Sequence, residues 1–162
     1  MGSEHAMTEA EALDALRGSD PAQVARAEAA LWAMWCRSGR AEHDALLAEG
    51  LTAMERRDFA GAVAILTRLV DAAPDWAEAW NKRATARYLA HDFAGAILDC
   101  EATLARKPHH FGALSGQGLC HLALEQYAPA AALFRRALAV HPSLAAVRAN
   151  LQAALSEVVR YN

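Results

Sequence analysis

Cysteine is scarce in this sequence: Cys36, Cys100 and Cys120 are the only three, and none has CxxC spacing. An odd number cannot close into a disulfide framework. Each falls among apolar residues of a helical stretch, so buried free thiols and a reducing compartment are expected. No apolar run reaches the roughly 18 residues that a membrane-crossing helix needs. Lys and Arg (16, against 19 Asp and Glu) are scattered singly, which leaves no basic stripe of the kind nucleic acid requires. Strand-length alternation is missing, no Gly-rich loop follows a strand, and no Ser-His-Asp or Cys-His-Asn arrangement stands out. These gaps argue against an enzyme, a DNA or RNA binder and a membrane-spanning protein. A secretory leader is also missing. Met1–Met7 reads as an added, disordered remnant with Met7 as the native start. The expected location is the cytoplasm, with the periplasm as the alternative if a native leader was removed.

Alanine is abundant instead, with 41 residues, about a quarter of the chain. It favours helix and lets helices approach closely. Thr8-Glu9-Ala10-Glu11 has the form of a capping box and opens a short helix that should stop at Gly18. Asp20-Pro21 is an N-cap with proline in the first turn, so a second helix should run to about Ser38 and end at Gly39. Val24, Ala27, Leu31 and Trp35 share one face of it, flanked by Trp32 and Met34. That stripe needs a partner, and residues 8–40 are expected to form a hairpin packed on the first of the repeat units that follow, residues 41–76.

From there the chain repeats itself. Pro74, Pro108 and Pro142 stand 34 residues apart, and Asp58-Phe59-Ala60-Gly61-Ala62 recurs letter for letter as Asp92-Phe93-Ala94-Gly95-Ala96, then as Gln126-Tyr127-Ala128-Pro129-Ala130. A fixed period of this length marks a stacked array in which each unit buries its apolar face against its neighbours. The units are 41–76, 77–110 and 111–144, each a helical hairpin whose second helix ends before its proline. Residues 145–162 continue as one helix that caps the stack.

The units resemble tetratricopeptide repeats, the 34-residue helix–turn–helix family. The first carries Leu46, Gly50, Phe59, Ala62, Leu66 and Pro74. The second carries Trp80, Ala84, Phe93, Ala96 and Pro108, and the third Leu114, Gly118, Tyr127, Ala130, Phe134, Ala137 and Pro142. The resemblance is to a bacterial-type member with three repeats plus flanking helices. It implies an all-α solenoid of antiparallel hairpins in a right-handed superhelix. It also implies a non-catalytic scaffold that holds a protein or peptide in a concave groove lined by the first helices. The groove residues would be Leu47 and Leu51, then Asn81, Lys82, Thr85 and Tyr88, then Ser115, Leu119 and Leu122. A subset of the family clamps a chaperone's terminal carboxylate with Lys, Arg and Asn. Here those places hold Leu47, Leu51, Lys82, Gly112 and Gly116, so that ligand is not expected. The alternative reading is self-assembly through exposed apolar helix faces, such as the tryptophan helix.

Cys100 and Thr103 stand where the family usually has large residues, and the seventh place of each unit, usually apolar, is Glu49, Arg83 and Gln117. Seventh places of adjacent units face along the stack, so a partly buried Glu49–Arg83 ion pair with Gln117 nearby is expected. His109, His110, Cys120 and His121 are the one grouping that hints at a metal. Adjacent helical residues point about 100° apart, which suits a tetrahedral site poorly. Surface turn histidines with a packed Cys and His are expected, with no metal or other cofactor. Trp76 and Trp80, a helical turn apart, are expected in the core between units rather than as a ligand platform.

Overall fold

The computed structural model describes residues 5–162. The reading of residues 1–7 as a remnant therefore falls, over 1–4, outside the described residues. Among those described there are nine helices and no strand: α1 (Glu9–Ala15), α2 (Pro21–Trp35), α3 (Ala41–Glu55), α4 (Phe59–Ala72), α5 (Ala77–Leu89), α6 (Phe93–Arg106), α7 (Phe111–Ala123), α8 (Tyr127–Val140) and α9 (Ala145–Tyr161). The all-α solenoid of stacked hairpins is observed. Each hairpin (α3–α4, α5–α6, α7–α8) packs on the next, and α9 closes against α8. None of the described helices is long and apolar enough to cross a membrane.

Local chemistry sets the boundaries. Thr8 and Glu11 form the capping box, with Glu11 N–H donating to Thr8 Oγ1 at 3.2 Å and Thr8 N–H donating to Glu11 Oε2 at 3.0 Å. Asp58 and Asp92 cap α4 and α6, accepting from Gly61 and Gly95 N–H at 2.9 and 3.0 Å. In the third unit both members change together. Pro129 has no N–H to donate, and Gln126 makes no cap bond. The tight turns inside the hairpins pass through Arg57, His91 and Glu125 at φ 62, 63 and 58°. The next residue's N–H returns to the carbonyl five positions back, from Asp58 to Ala53, Asp92 to Arg87 and Gln126 to His121. This is a Schellman closure in which non-glycine residues hold the left-handed position.

Glycine is required at two close helix approaches. A β-carbon on Gly50 would lie 2.7 Å from Leu66 Cδ2, and one on Gly118 would lie 2.5 Å from Phe134 Cε1. Leu66 and Phe134 are wholly buried, so neither can retreat.

Two expectations are corrected. Glu49 does not meet Arg83. Glu49 is exposed on α3, whereas Arg83 holds Asp99 of α6 with Nε at 2.9 Å and Nη2 at 2.8 Å. Arg87 Nη1 adds a third bond to Asp99 at 2.9 Å. The two-toothed guanidinium finds a carboxylate inside its own hairpin, and its remaining Nη1 donates to Thr67 Oγ1 of α4 at 3.4 Å rather than to Glu49. Gln117 is buried at the equivalent place of α7.

The second correction concerns the N-terminal hairpin. Its apolar face (Ala12, Leu16, Val24, Ala27, Leu31 and Trp35) closes on Phe111, with Val140 and Leu144 at the margin. Glu9 meets Lys107 Nζ at 2.7 Å, Glu28 accepts from His141 Nε2 at 2.7 Å, and Trp76 Nε1 donates to the Trp35 carbonyl at 2.9 Å. The hairpin thus runs along the turns that end all three units, from Trp76 to His141, instead of covering the face of the first. Phe111 provides the apolar platform, where the first unit has His43, the second Ala77 and the capping helix Ala145. Trp76 is tied to α2 and Trp80 lies between Arg83 and Arg106, at 5.2 and 4.8 Å from the ring centre.

Candidate functional site

Beyond their hairpin partners, α3 touches α5, α5 touches α7 and α7 touches α9, with no comparable contact between α4 and α6 or α6 and α8 among the described residues. The row of first helices is therefore the inner side of the curve. Between α5 and α7 this side opens a cavity of about 270 Å³. Asn81, Thr85 and Tyr88 line one wall and Leu119 the other, with Gly116 and the Cys100 and Cys120 thiols behind them.

The expected groove residues thus divide. Asn81, Thr85, Tyr88 and Leu119 come together around the cavity. Ser115 lies on the same helix as Leu119, its hydroxyl donating to the Gly112 carbonyl at 3.2 Å. Leu47 is corrected: it is buried in the core with Leu66, Leu69 and Val70, because α3 turns that face into its own hairpin. Leu51 packs half-buried on the same cluster, and Leu122 does so on the core of the third unit.

Lys82 is present but occupied. Its ammonium lies 3.1 Å from Glu78 Oε1 and 5.0 Å from the centre of a Trp32 ring. Glu78 is completely buried. It also accepts from Asn81 Nδ2 at 2.8 Å and from His110 Nε2 at 2.9 Å. Burial pushes this carboxyl up, but the hydrogen bond from His110, the Lys82 ammonium and the Asn81 amide outweigh it. The group is held below the usual carboxylate range.

His110 is a further correction. It is not a surface turn histidine but is fully buried, stacked on Trp35 at 4.2 Å between ring centres. Its Nδ1 accepts from Ala113 N–H at 3.0 Å and caps α7. With Nδ1 accepting, the proton sits on Nε2 and points at Glu78. His109 is exposed, and among the described residues no group of three or more His, Cys, Asp or Glu converges as a metal site would require. The three cysteines are free, Cys36 half-buried and the other two buried. The neighbouring Cys120 thiol, and burial after it, push the Cys100 thiol well above its ordinary value, while the hydrogen bond with Cys100 lowers that of Cys120.

Sequence reasoning missed Trp32. Its ring sits on Gly112, a residue of the cavity lining, and a β-carbon there would lie 2.8 Å from Trp32 Cη2. It also stands edge-on to His110 and Phe111, at 5.4 and 5.5 Å. The signal available was Gly112 itself, opposite a helix with an unassigned flanking tryptophan.

A family model described as tetratricopeptide repeat matches residues 47–110 and 90–146. A TPR repeat-containing protein of Rhizobium etli is 35% identical over 82 residues, which span 51% of this chain and 40% of that protein. The chain therefore matches less than half the length of this curated relative. Among solved structures, the Sgt2 TPR domain from Aspergillus fumigatus superposes with a TM-score of 0.73 at 22% identity, covering 76% of this chain and 83% of the other. The first TPR of Spaghetti, bound to an HSP90 peptide, gives 0.71 at 22% identity over 72% and 93%. The TPR2B domain of yeast Sti1, in complex with an Hsp70 peptide, gives 0.68 at 22% identity over 73% and 99%.

Proposed function

The chain belongs to the tetratricopeptide repeat family, and from that premise we propose that it is a non-catalytic scaffold that binds a segment of a partner protein in its concave groove. The observation that carries this reading is the cavity between α5 and α7, where half-buried Tyr88 and Leu119 flank Asn81 and Thr85. Apolar anchors beside a few polar groups that fix orientation are the usual make-up of a peptide-recognition groove. The Spaghetti and Sti1 domains, which hold HSP90 and Hsp70 peptides, support peptide binding as the kind of activity. They do not transfer the ligand, because Lys82 is already engaged and Gly112 and Gly116 carry no cation. Self-assembly through the tryptophan helix loses its surface, since Trp35 is buried and Trp32 is seated on Gly112.

The test is site-specific photo-crosslinking in the native host. A photoreactive side chain at position 88 or 119 is expected to capture partner polypeptide. The same group at Leu98, an exposed position on α6, is the control. Equal capture at Leu98, or none at 88 and 119, would falsify binding in the groove.

A further inference from the structure

Four helix-interior glycines of the first helices can be compared by what a side chain would meet. At Gly50, Gly112 and Gly118 a β-carbon would strike Leu66, Trp32 and Phe134 at 2.5–2.8 Å, so packing demands glycine. At Gly116 it would meet only Cys100 Sγ, at an ordinary 3.8 Å. A glycine within a helix is destabilising relative to alanine, and at Gly116 no packing contact requires it. What its missing side chain leaves is the 270 Å³ cavity.

Charge narrows what the cavity takes. The nearest cation, Lys82, is neutralised by buried Glu78, whose other oxygen is held by His110. The walls offer hydroxyl, amide and thiol groups but no free ion. An incoming carboxylate would lose its hydration, meet no unpaired cation and lie near Glu78, which opposes it. The uncharged aromatic ring of Trp32 rests on Gly112, one of the residues that line this cavity.

We propose that this cavity is an anchor subsite for one bulky uncharged side chain, such as phenylalanine, presented by an internal stretch of a partner polypeptide. The inference rests on the groove reading above and adds the ligand class. A volume of about 270 Å³ accommodates such a side chain, and desolvated aromatic anchors are where binding energy concentrates.

The experiment uses short acetylated and amidated Gly/Ser/Ala probe peptides bearing one central phenylalanine. Their binding to the whole protein is followed by backbone amide shifts. The phenylalanine peptide is expected to perturb Gly116, Leu119 and Tyr88 saturably at millimolar concentration. Exchanging its phenylalanine for aspartate is expected to weaken binding by roughly tenfold or more, whereas a free C-terminal carboxylate should bring no gain. Gly116→Leu fills the cavity from within while improving helix propensity. It should therefore hold the melting temperature and weaken the phenylalanine peptide by roughly tenfold or more. Four results overturn the proposal: no saturable shift with any probe, an aspartate peptide binding as tightly, a clear gain from the free terminus, or Gly116→Leu without effect. Shifts confined to α4, α6 or α8 would instead sink the groove reading itself.

Discussion

Replacing Asp99 with alanine removes the acceptor of three charged hydrogen bonds at once. The Asp99 side chain is 2% exposed, and its partners Arg83 and Arg87 are 11% and 24% exposed. The variant leaves one guanidinium almost wholly out of water with no counter-charge, and breaking a buried pair from one side costs about 3–5 kcal/mol. Total stability of a domain is only about 5–15 kcal/mol, so this is a large share. At this chain length a loss of that size lowers the melting temperature by roughly 10 °C. The assay is urea unfolding followed by circular dichroism, with thermal melts beside it. A second variant separates unpaired charge from lost packing. Adding Arg83→Met to Asp99→Ala removes the stranded cation and should recover part of the loss, because deleting both partners is much less costly than deleting one. An Asp99→Ala protein within about 1 kcal/mol of wild type, or a double variant worse than the sum of its singles, would refute the reasoning.

The glycines give a contrasting pair. Gly118→Ala drives a β-carbon into buried Phe134 and should cost about 1–3 kcal/mol in urea unfolding, while Gly116→Ala should stabilise by about 0.5–1 kcal/mol. Glu78 sets a pH dependence. Its folded pKa lies below the ordinary 4.5, so its contribution is complete above that value and is lost as pH falls through the lower, folded one. Glu78→Gln should flatten the acid limb of stability against pH, and an unchanged acid limb would contradict the cited interactions.

The period of 34 made the hairpins, their aromatic junctions and their proline ends legible from the sequence, because each rests on local sterics repeated three times. Partners across space were less legible. Arg83 stood out as a charge in an apolar place, but neither register nor spacing ranked Asp99 above Glu49. Leu47 was misplaced because positional analogy assigns a helix face without knowing how far the hairpin rotates it inward. The Val24–Trp35 stripe showed that a face must be buried without showing against what. Phe111, the one large apolar residue at a place held by His43, Ala77 and Ala145 elsewhere, was the clue that could have located it. Trp32 was invisible as the neighbour of Gly112 because it lies outside the repeats.

The N-terminal hairpin changes how the array comes apart. A solenoid whose units touch only their neighbours has local contacts, can begin folding at any unit and can fray from either end. Here Glu28 is bonded to His141 across 113 residues of chain and Glu9 to Lys107 across 98. Opening the third unit therefore also detaches α1 and α2, so the ends lose their independence and unfolding becomes more nearly all-or-none. The loop-closure entropy of such distant contacts makes the last step of folding slower than the assembly of the repeats. In hydrogen exchange, the amides of α2 and of α7 and α8 should open as one unit.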